Sequence, residues 1–476
     1  MERDGGNAFN RVALAFTAWS ERWVPDAFVF AIVATVIVFA GATLGVRAAP
    51  LAVVDAWGKG FWDLLPFTMQ MALVIVSGYV LASAPPVYRL IAALARAPST
   101  PRGAVAMVTA CALASSWLNW GFSLVFSAVL AKEVARRVRG ADYRALAAAS
   151  FLGLGSVWAQ GLSGSAALQM ASETALPQAI RDVVAHHGAV PGGIISLRHT
   201  IFLWQSQLAV LIELLVVTTI MYLAAPPPSR TKTAMDLGID LGPPLDAPPT
   251  EKERPPQPGE WLERSPLLTI FVGLLGGIYL VYYFARAGGV MECLSAINLN
   301  TLNLSFLIIG FLLHGTPARF MRAVREATPA TWGVILQFPF YGGIAGMITY
   351  TKLNERIAGA FVSISGPKTF PAVIALYSAI LGVFVPSGGS KWVIEAPYVM
   401  EAGHSLRVHL GWMVAVYDLG EALANLVQPF WMLPILGLLK LRARDVMGYT
   451  AVVFAVLLPL VLLMVTLLGL TLHYPL

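Results

Sequence analysis

The stretch FVPSGGSKWVIEAP, residues 384–397, decides the fold. It follows the apolar run TFPAVIALYSAILGV, and a longer apolar region lies beyond it. Lys391 and Glu395 therefore stand where hydrocarbon is expected, beside a proline and two glycines. A charged lysine at the centre of a bilayer costs roughly 2.5–3.5 kcal/mol on insertion scales, so it needs a partner or a task. Broken backbone is tolerated at that depth only where protein or a water-filled cavity surrounds it.

The rest of the chain supports a lipid setting. Of its 476 residues 57% are hydrophobic and 12% charged, and mean hydropathy is +0.70; a soluble domain carries roughly 25% charged residues. Val24–Val46, His199–Leu223, Ser265–Phe284 and Met447–Leu472 approach or exceed the roughly 20 apolar residues a membrane-crossing helix needs. The net charge of +6 gathers in short loops, which points to membrane orientation and away from nucleic acid. The two cysteines, Cys111 and Cys293, read as buried thiols and not as a disulfide framework. Residues 1–23 lack the apolar core of a cleavable signal and read as a cytoplasmic amphipathic segment. No HExxH or GxSxG motif appears, and the seven histidines fall in loops or near span ends, so neither enzyme nor metal chemistry is expected, nor a cofactor.

Positive loops fix the threading. Arg89, Arg96 and Arg102 mark one cytoplasmic loop; Lys132, Arg136, Arg137, Arg139 and Arg144 mark another. About 29 residues separate them, and two full crossings need roughly 40. The segment at about 103–131 must then enter and turn back, with its turn at SSWLNWGFS, Ser115–Ser123. The same logic makes 369–403 a second hairpin, entering from the opposite side, with VPSGGSK as a break between half-helices. Two further spans, about 143–171 and 411–439, are interrupted by GLGSVWAQGLSGSA and DLGEALANLVQPF. The fold expected is an all-α polytopic membrane protein. Its halves, 24–224 and 265–476, are inverted, each with one re-entrant hairpin and one broken helix. A linker at 225–264 with ten prolines reads as extended and unpacked. Inverted halves with broken helices meeting at mid-membrane are the usual build of a secondary transporter.

Those four interruptions should converge on a small carboxylate. Unwound backbone frees carbonyls for a cation, and half-helix N-termini offer N–H groups to an anion. Ser116, Asn119 and Gly121 come from the first hairpin, and Ser163, Gly164 and Ser165 from the first broken helix. Ser387, Gly388, Gly389, Ser390 and Lys391 come from the second hairpin, and Asn425 and Gln428 from the second broken helix. Lys391 has three readings: a charge for an anionic substrate or a stand-in for a sodium ion, a structural pair with Glu395 four residues on, or a side chain snorkelling into a vestibule. Lys391, Glu395, Asp418 and Glu421 are the coupling candidates, Asp418 and Glu421 as proton carriers because burial favours a carboxylate's neutral form. Asp418 has a rival reading as a solvated residue near a span end. Glu213 is an isolated intramembrane carboxylate awaiting a neighbour. Trp117, Trp120, Trp158, Phe338, Phe340, Tyr341, Trp392 and Trp431 read first as packing, and as an acyl-tail lining if they reach the site. QFPFYGGI, Gln337–Ile344, reads as a hinge, a pocket wall or a proline-kinked helix.

Six stretches carry a family resemblance: WGKGFWDLLPFTMQMALVIVSGYVLAS (57–83), NWGFSLVFSAVLAKEVARRVRGADY (119–143), GLSGS (161–165), LQFPFYGGI (336–344), VPSGGSKWVIEAPYV (385–399) and NLVQPFWMLPILGL (425–438). Together they resemble the bacterial short-chain fatty acid transporter family, a branch of the ion-transporter superfamily. The resemblance implies uptake of small monocarboxylates across the inner membrane. It also implies a homodimer with a scaffold domain and a moving domain holding both hairpins. Asn119, Ser163, Ser165, Ser387, Gly388, Gly389, Asn425 and Gln428 fall on the family's motif. Ser390, Lys391 and Glu395 depart from it, standing where the family more often has Gly, His and Gln. The expectation is a secondary active carrier for a short-chain fatty acid, proton-coupled and of elevator type, with a cytoplasmic N-terminus and a periplasmic C-terminus. The rivals are a sodium-coupled di- or tricarboxylate carrier, a gated anion channel and a membrane-embedded enzyme.

Overall fold

The structure is a computed structural model. It describes residues 15, 22, 27–63, 65–171, 178–185, 188–242, 257–289, 293, 296, 299–353, 356, 363–384 and 388–476. The expected N-terminal amphipathic segment thus lies outside the described residues apart from Ala15 and Arg22. Every regular element among the described residues is helical. In the first half these are α1 (Ala27–Ala40), α2 (Pro50–Asp63), α3 (Leu65–Ala82), α4 (Pro85–Leu94), α5 (Pro101–Leu118), α6 (Trp120–Arg137), α7 (Tyr143–Gly155), α8 (Ser165–Met170), α9 (Gln178–Val184) and α10 (Trp204–Ala224). The second half holds α11 (Pro266–Ala285), α12 (Leu299–His314), α13 (Pro317–Ala327), α14 (Trp332–Tyr350), α15 (Phe370–Phe384), α16 (Gly388–Leu406), α17 (Leu410–Ala424), α18 (Leu433–Leu439) and α19 (Ala443–Gly469).

Among the described residues, four stretches are long and apolar enough to cross a membrane: Tyr143–Met170, Trp204–Ala224, Pro266–Ala285 and Ala443–Gly469. They differ in what surrounds them. Every residue of α7 and of α17 is buried, whereas α11 leaves Leu267, Phe271, Leu275 and Ile278 exposed. A helix apolar all round and buried belongs to the centre. So α7 and α17, which precede the interruptions at 156–164 and 425–429, form the middle of the bundle. Helices α5, α6, α10, α15, α16 and α19 surround them, and α1–α3 with α11–α14 pack alongside.

The first turn is built by one residue. Asn119 is extended (φ −160°, ψ 121°), which ends α5, and its Oδ1 accepts the Phe122 N–H at 2.9 Å, which starts α6. An asparagine cap of this kind satisfies one of the orphan donors of a helix start. The arms α5 and α6 are 18 residues each, about 27 Å at 1.5 Å per residue. They run on into both segments read as loops, so the arms are longer than the interval between the positive loops suggested. In the second hairpin α15 lies along α17, and α16 packs on α17, α8 and α9.

The two halves use the same device. Gly153 of α7 lies so close to α5 that a Cβ there would stand 2.2 Å from the Ala112 carbonyl oxygen. Gly420 of α17 lies on α15, where a Cβ would stand 2.3 Å from the Ala375 carbonyl oxygen. Small residues let helix backbones approach where lipid supplies no hydrophobic drive. Each broken span is thereby held against the first arm of its own hairpin.

Several expectations need correcting. Helix α2 was not anticipated; a proline opens it and Gly60 lets it press on α14, where a Cβ would meet the Gly342 carbonyl at 2.3 Å. Gly346 returns that contact, 2.4 Å from the Ala56 carbonyl. QFPFYGGI is therefore part of one helix running through Pro339, and its glycines serve packing. Arg319, Arg322 and Arg325 sit on the amphipathic helix α13. The linker is not unpacked over residues 225–242. Asp142 accepts the Lys232 N–H at 3.0 Å, Tyr143 N–H donates to the Lys232 carbonyl at 2.9 Å, and Arg136 donates to the carbonyls of Leu241 and Gly242. Lys440 donates to the Asp240 carbonyl at 3.2 Å. Charged groups at the ends of α6, α7 and α18 thus capture the linker's backbone. Cys111 and Cys293 are free and half-buried.

Candidate functional site

The first hairpin turn meets the first break. Trp120 N–H donates to Ser163 Oγ at 3.1 Å, and Leu162 N–H donates to the Trp117 carbonyl at 2.8 Å. Gly161 and Gly164 permit this, since a Cβ on either would stand within 2.1 Å of a carbonyl oxygen, that of Trp117 or Ala159. Ser116 is fully buried, and its Oγ has no hydrogen-bond partner.

The second hairpin meets the second broken helix through charge. Lys391 is 0% exposed. Its Nζ pairs with Glu421 of α17, lies 3.4 Å from Glu395 Oε1 and donates to the Ser378 carbonyl at 2.8 Å. The Tyr417 ring lies under it, 4.7 Å to the centroid. Ser378 Oγ donates to Glu395 Oε2 at 3.0 Å, and Tyr417 donates to the Gly388 carbonyl at 2.6 Å. Asp418, one turn from Glu421, is 2% exposed and its Oδ2 has no hydrogen-bond partner; Glu421 Oε1 has none either. Three buried carboxylates thus face one ammonium. In a low-dielectric interior that imbalance is costly unless protons or another cation redress it.

The two halves also cross. Asn425 Nδ2 donates to the Leu154 carbonyl at 3.0 Å, tying the end of α17 to the end of α7. Gln428 Nε2 donates to Asn425 Oδ1 at 3.0 Å and its Oε1 accepts the Phe430 N–H at 2.7 Å, which holds the second break open. Trp120 of the first hairpin stands edge-on to Trp431 of the second break, 5.4 Å between centroids. Trp158 of the first break faces Trp120 at 6.3 Å, and a Cβ at Gly388 of the second hairpin would touch its ring at 2.9 Å. Gln169 Nε2 donates to the Gly389 carbonyl at 3.1 Å. Trp158 therefore stands between Trp120 at the start of α6 and Gly388 at the start of α16.

The family model for short chain fatty acid transporters matches residues 8–470. The chain belongs to the short-chain fatty acid transporter family. A protein of Escherichia coli strain K12 is 38% identical over 94% of this chain and 97% of its own length. One of Haemophilus influenzae strain KW20 is 36% identical over 94% and 97%. Both carry the provisional name short-chain fatty acid transporter. Among solved structures, Neisseria gonorrhoeae MtrF, described within a class of antimetabolite efflux pumps, covers 97% of this chain and 98% of its own, at 14% identity and a TM-score of 0.44. The Alcanivorax borkumensis YdaH transporter, described as having an unusual topology, covers 93% and 97%, at 14% and 0.46.

In this transporter Asn119, Gly121, Ser163, Gly164, Ser165, Gly388, Gly389, Asn425 and Gln428 all fall at the meeting of the four interruptions. Ser387 lies outside the described residues, with Val385 and Pro386. Gly388, Gly389, Ser390 and Lys391 are all helical, at the start of α16. Lys391 does not snorkel, because its ammonium is fully enclosed; the pair with Glu395 is present, and Glu421 is a second partner no spacing rule reveals. Asp418 is buried and not a solvated end residue. Glu213 is not isolated: Gln160 Nε2 donates to its Oε2 at 3.0 Å. Ser378, Tyr417 and Gln169 were missed. The first two had a signal, as a polar residue inside an apolar run and a tyrosine flanking Asp418.

Proposed function

We propose that this protein carries short-chain monocarboxylates across the inner membrane, coupled to protons, by alternating access with an elevator motion. The substrate class comes from the family. The coupling reading rests on one observation, the enclosed cluster of Lys391, Glu395, Glu421 and Asp418, where carboxylates outnumber cations (three to one) and every member is at most 2% exposed. The carboxylate of the substrate binds between the hairpin turns, near Asn119 and Ser387, where Trp158 and Trp120 offer apolar faces to a short acyl tail. The protein works as a homodimer whose moving domain holds both hairpins, re-entrant from opposite sides, with the N-terminus cytoplasmic and the C-terminus periplasmic.

A counterflow screen of labelled C2–C6 acids in proteoliposomes tests this, run with and without sodium and pH gradients. Exchange of C3–C5 monocarboxylates, with accumulation driven by an inward proton gradient and indifferent to sodium, is the expected result. Sodium-dependent uptake of a di- or tricarboxylate, or single-channel currents, overturns it.

A further inference from the structure

An alkali cation and a lysine ammonium ask the same of a buried site: several oxygens, with negative charge among them. Lys391 Nζ has such a shell. It takes Glu421, Glu395 Oε1 at 3.4 Å and the Ser378 carbonyl at 2.8 Å, with the Tyr417 ring closing the fourth side. The walls come from three helices. Tyr377 and Ser378 lie on α15; Glu395 and Tyr398 flank Lys391 on α16; Tyr417, Asp418 and Glu421 lie on α17. Helix α8 adds Gln169, whose amide is spent on Gly389. Helix α9, also packed on α16, brings Arg181 and Asp182, neither of which pairs with Lys391. Two carboxylate oxygens of α17, Asp418 Oδ2 and Glu421 Oε1, have no hydrogen-bond partner while their residues are 2% and 0% exposed. The shell is thus richer in negative charge than one ammonium uses.

We propose that Lys391 is a resident cation. Its ammonium fills an oxygen-lined monovalent-cation site formed by Glu421, Glu395 and the Ser378 carbonyl, and for that reason the protein has no use for sodium. This rests on the carrier reading above but is tested without any substrate. Removing the side chain leaves three buried carboxylates around a vacated volume, and a small cation that enters stabilises the folded state in proportion to its binding.

The test is thermal unfolding of the purified full-length protein in detergent, in sodium chloride against N-methyl-D-glucamine chloride at equal ionic strength. The wild type shows no sodium-specific shift. Lys391→Ala gains a saturating upward shift with sodium, about 2 °C or more. If that variant does not survive purification, Lys391→Ala with Glu395→Gln keeps Glu421 and the Ser378 carbonyl with one less repulsive charge, and carries the same expectation. A wild type stabilised specifically by sodium overturns the proposal. So does a folded variant, single or double, that is indifferent to it. Failure of the counterflow screen would sink the carrier reading and leave this result standing.

Discussion

Lys391 on the second hairpin reaches Glu421 on the broken helix packed against it, and neither side chain has any exposed surface. The pair is closed off from water by Tyr417 and Ser378, so neither partner can be re-solvated in place. Removing one partner of a buried pair strands the other, at a cost of about 3–5 kcal/mol. Lys391→Met is therefore expected to lower the unfolding midpoint sharply and, under the proton-coupled reading proposed above, to abolish uptake driven by a proton gradient. Adding Glu421→Gln should restore part of the stability, with a coupling energy of about 0.5–3 kcal/mol in the double-mutant cycle. Additive losses would show that the two side chains are not coupled.

Gly153→Ala and Gly420→Ala each place a methyl against a carbonyl oxygen, Ala112 or Ala375, at 2.2 and 2.3 Å. Backbone on both sides leaves little room to give, so each change should destabilise by about 1–3 kcal/mol. Gly277→Ala is the control, because nothing lies within 4 Å of a Cβ there. Fluorescence-detected gel filtration after a heating series separates the three.

Glu213→Leu should cost about 1–3 kcal/mol, because the Gln160 amide is left buried without its acceptor. Glu213→Gln keeps an acceptor oxygen and should be close to neutral in stability. Equal midpoints for the two variants would mean the Gln160 contact contributes nothing.

His409 lies in the turn before α17, where its Nδ1 accepts the Trp412 N–H at 2.9 Å. Burial, then the neighbouring His199, lowers its pKa to about 4 from 6.5. The unfolded chain takes up a proton near pH 6.5 that the folded chain refuses until about pH 4. Stability is thus fully present above pH 6.5 and falls as pH drops through that window, by at most about 1.4 kcal/mol per pH unit. His409→Asn keeps a capping acceptor and should flatten this part of a midpoint-against-pH curve; an unchanged slope would assign the effect elsewhere.

The helices and several of their interruptions were legible because they are written in local chemistry: glycine and asparagine break an apolar run where they cap or turn it, although Pro339 and Pro459 sit inside continuous helices. Asn119 is one such case, since its capping oxygen and extended backbone act within three residues. Partners across the bundle were not legible. Lys391 and Glu395 are four residues apart and visible as a pair, whereas Glu421 is 30 positions away and only packing of α16 on α17 brings it in. The linker misled for the opposite reason. Its prolines describe a chain that forms no helix, yet Arg136, Asp142 and Lys440 hold its backbone from elements over 80 residues distant in sequence. Helix α2 was hidden by Lys59, Gly58 and Gly60, which lower hydropathy while two of them serve salt bridging and close packing.

The paired glycine contacts limit what can move. With the Ala112 and Ala375 carbonyls seated where side chains would stand, neither α5 from α7 nor α15 from α17 can separate without leaving bare peptide surface facing hydrocarbon. Under the elevator reading proposed above, α5 with α7 and α15 with α17 are thus expected to travel as fixed pairs, and any sliding falls at contacts that lack such a glycine seat.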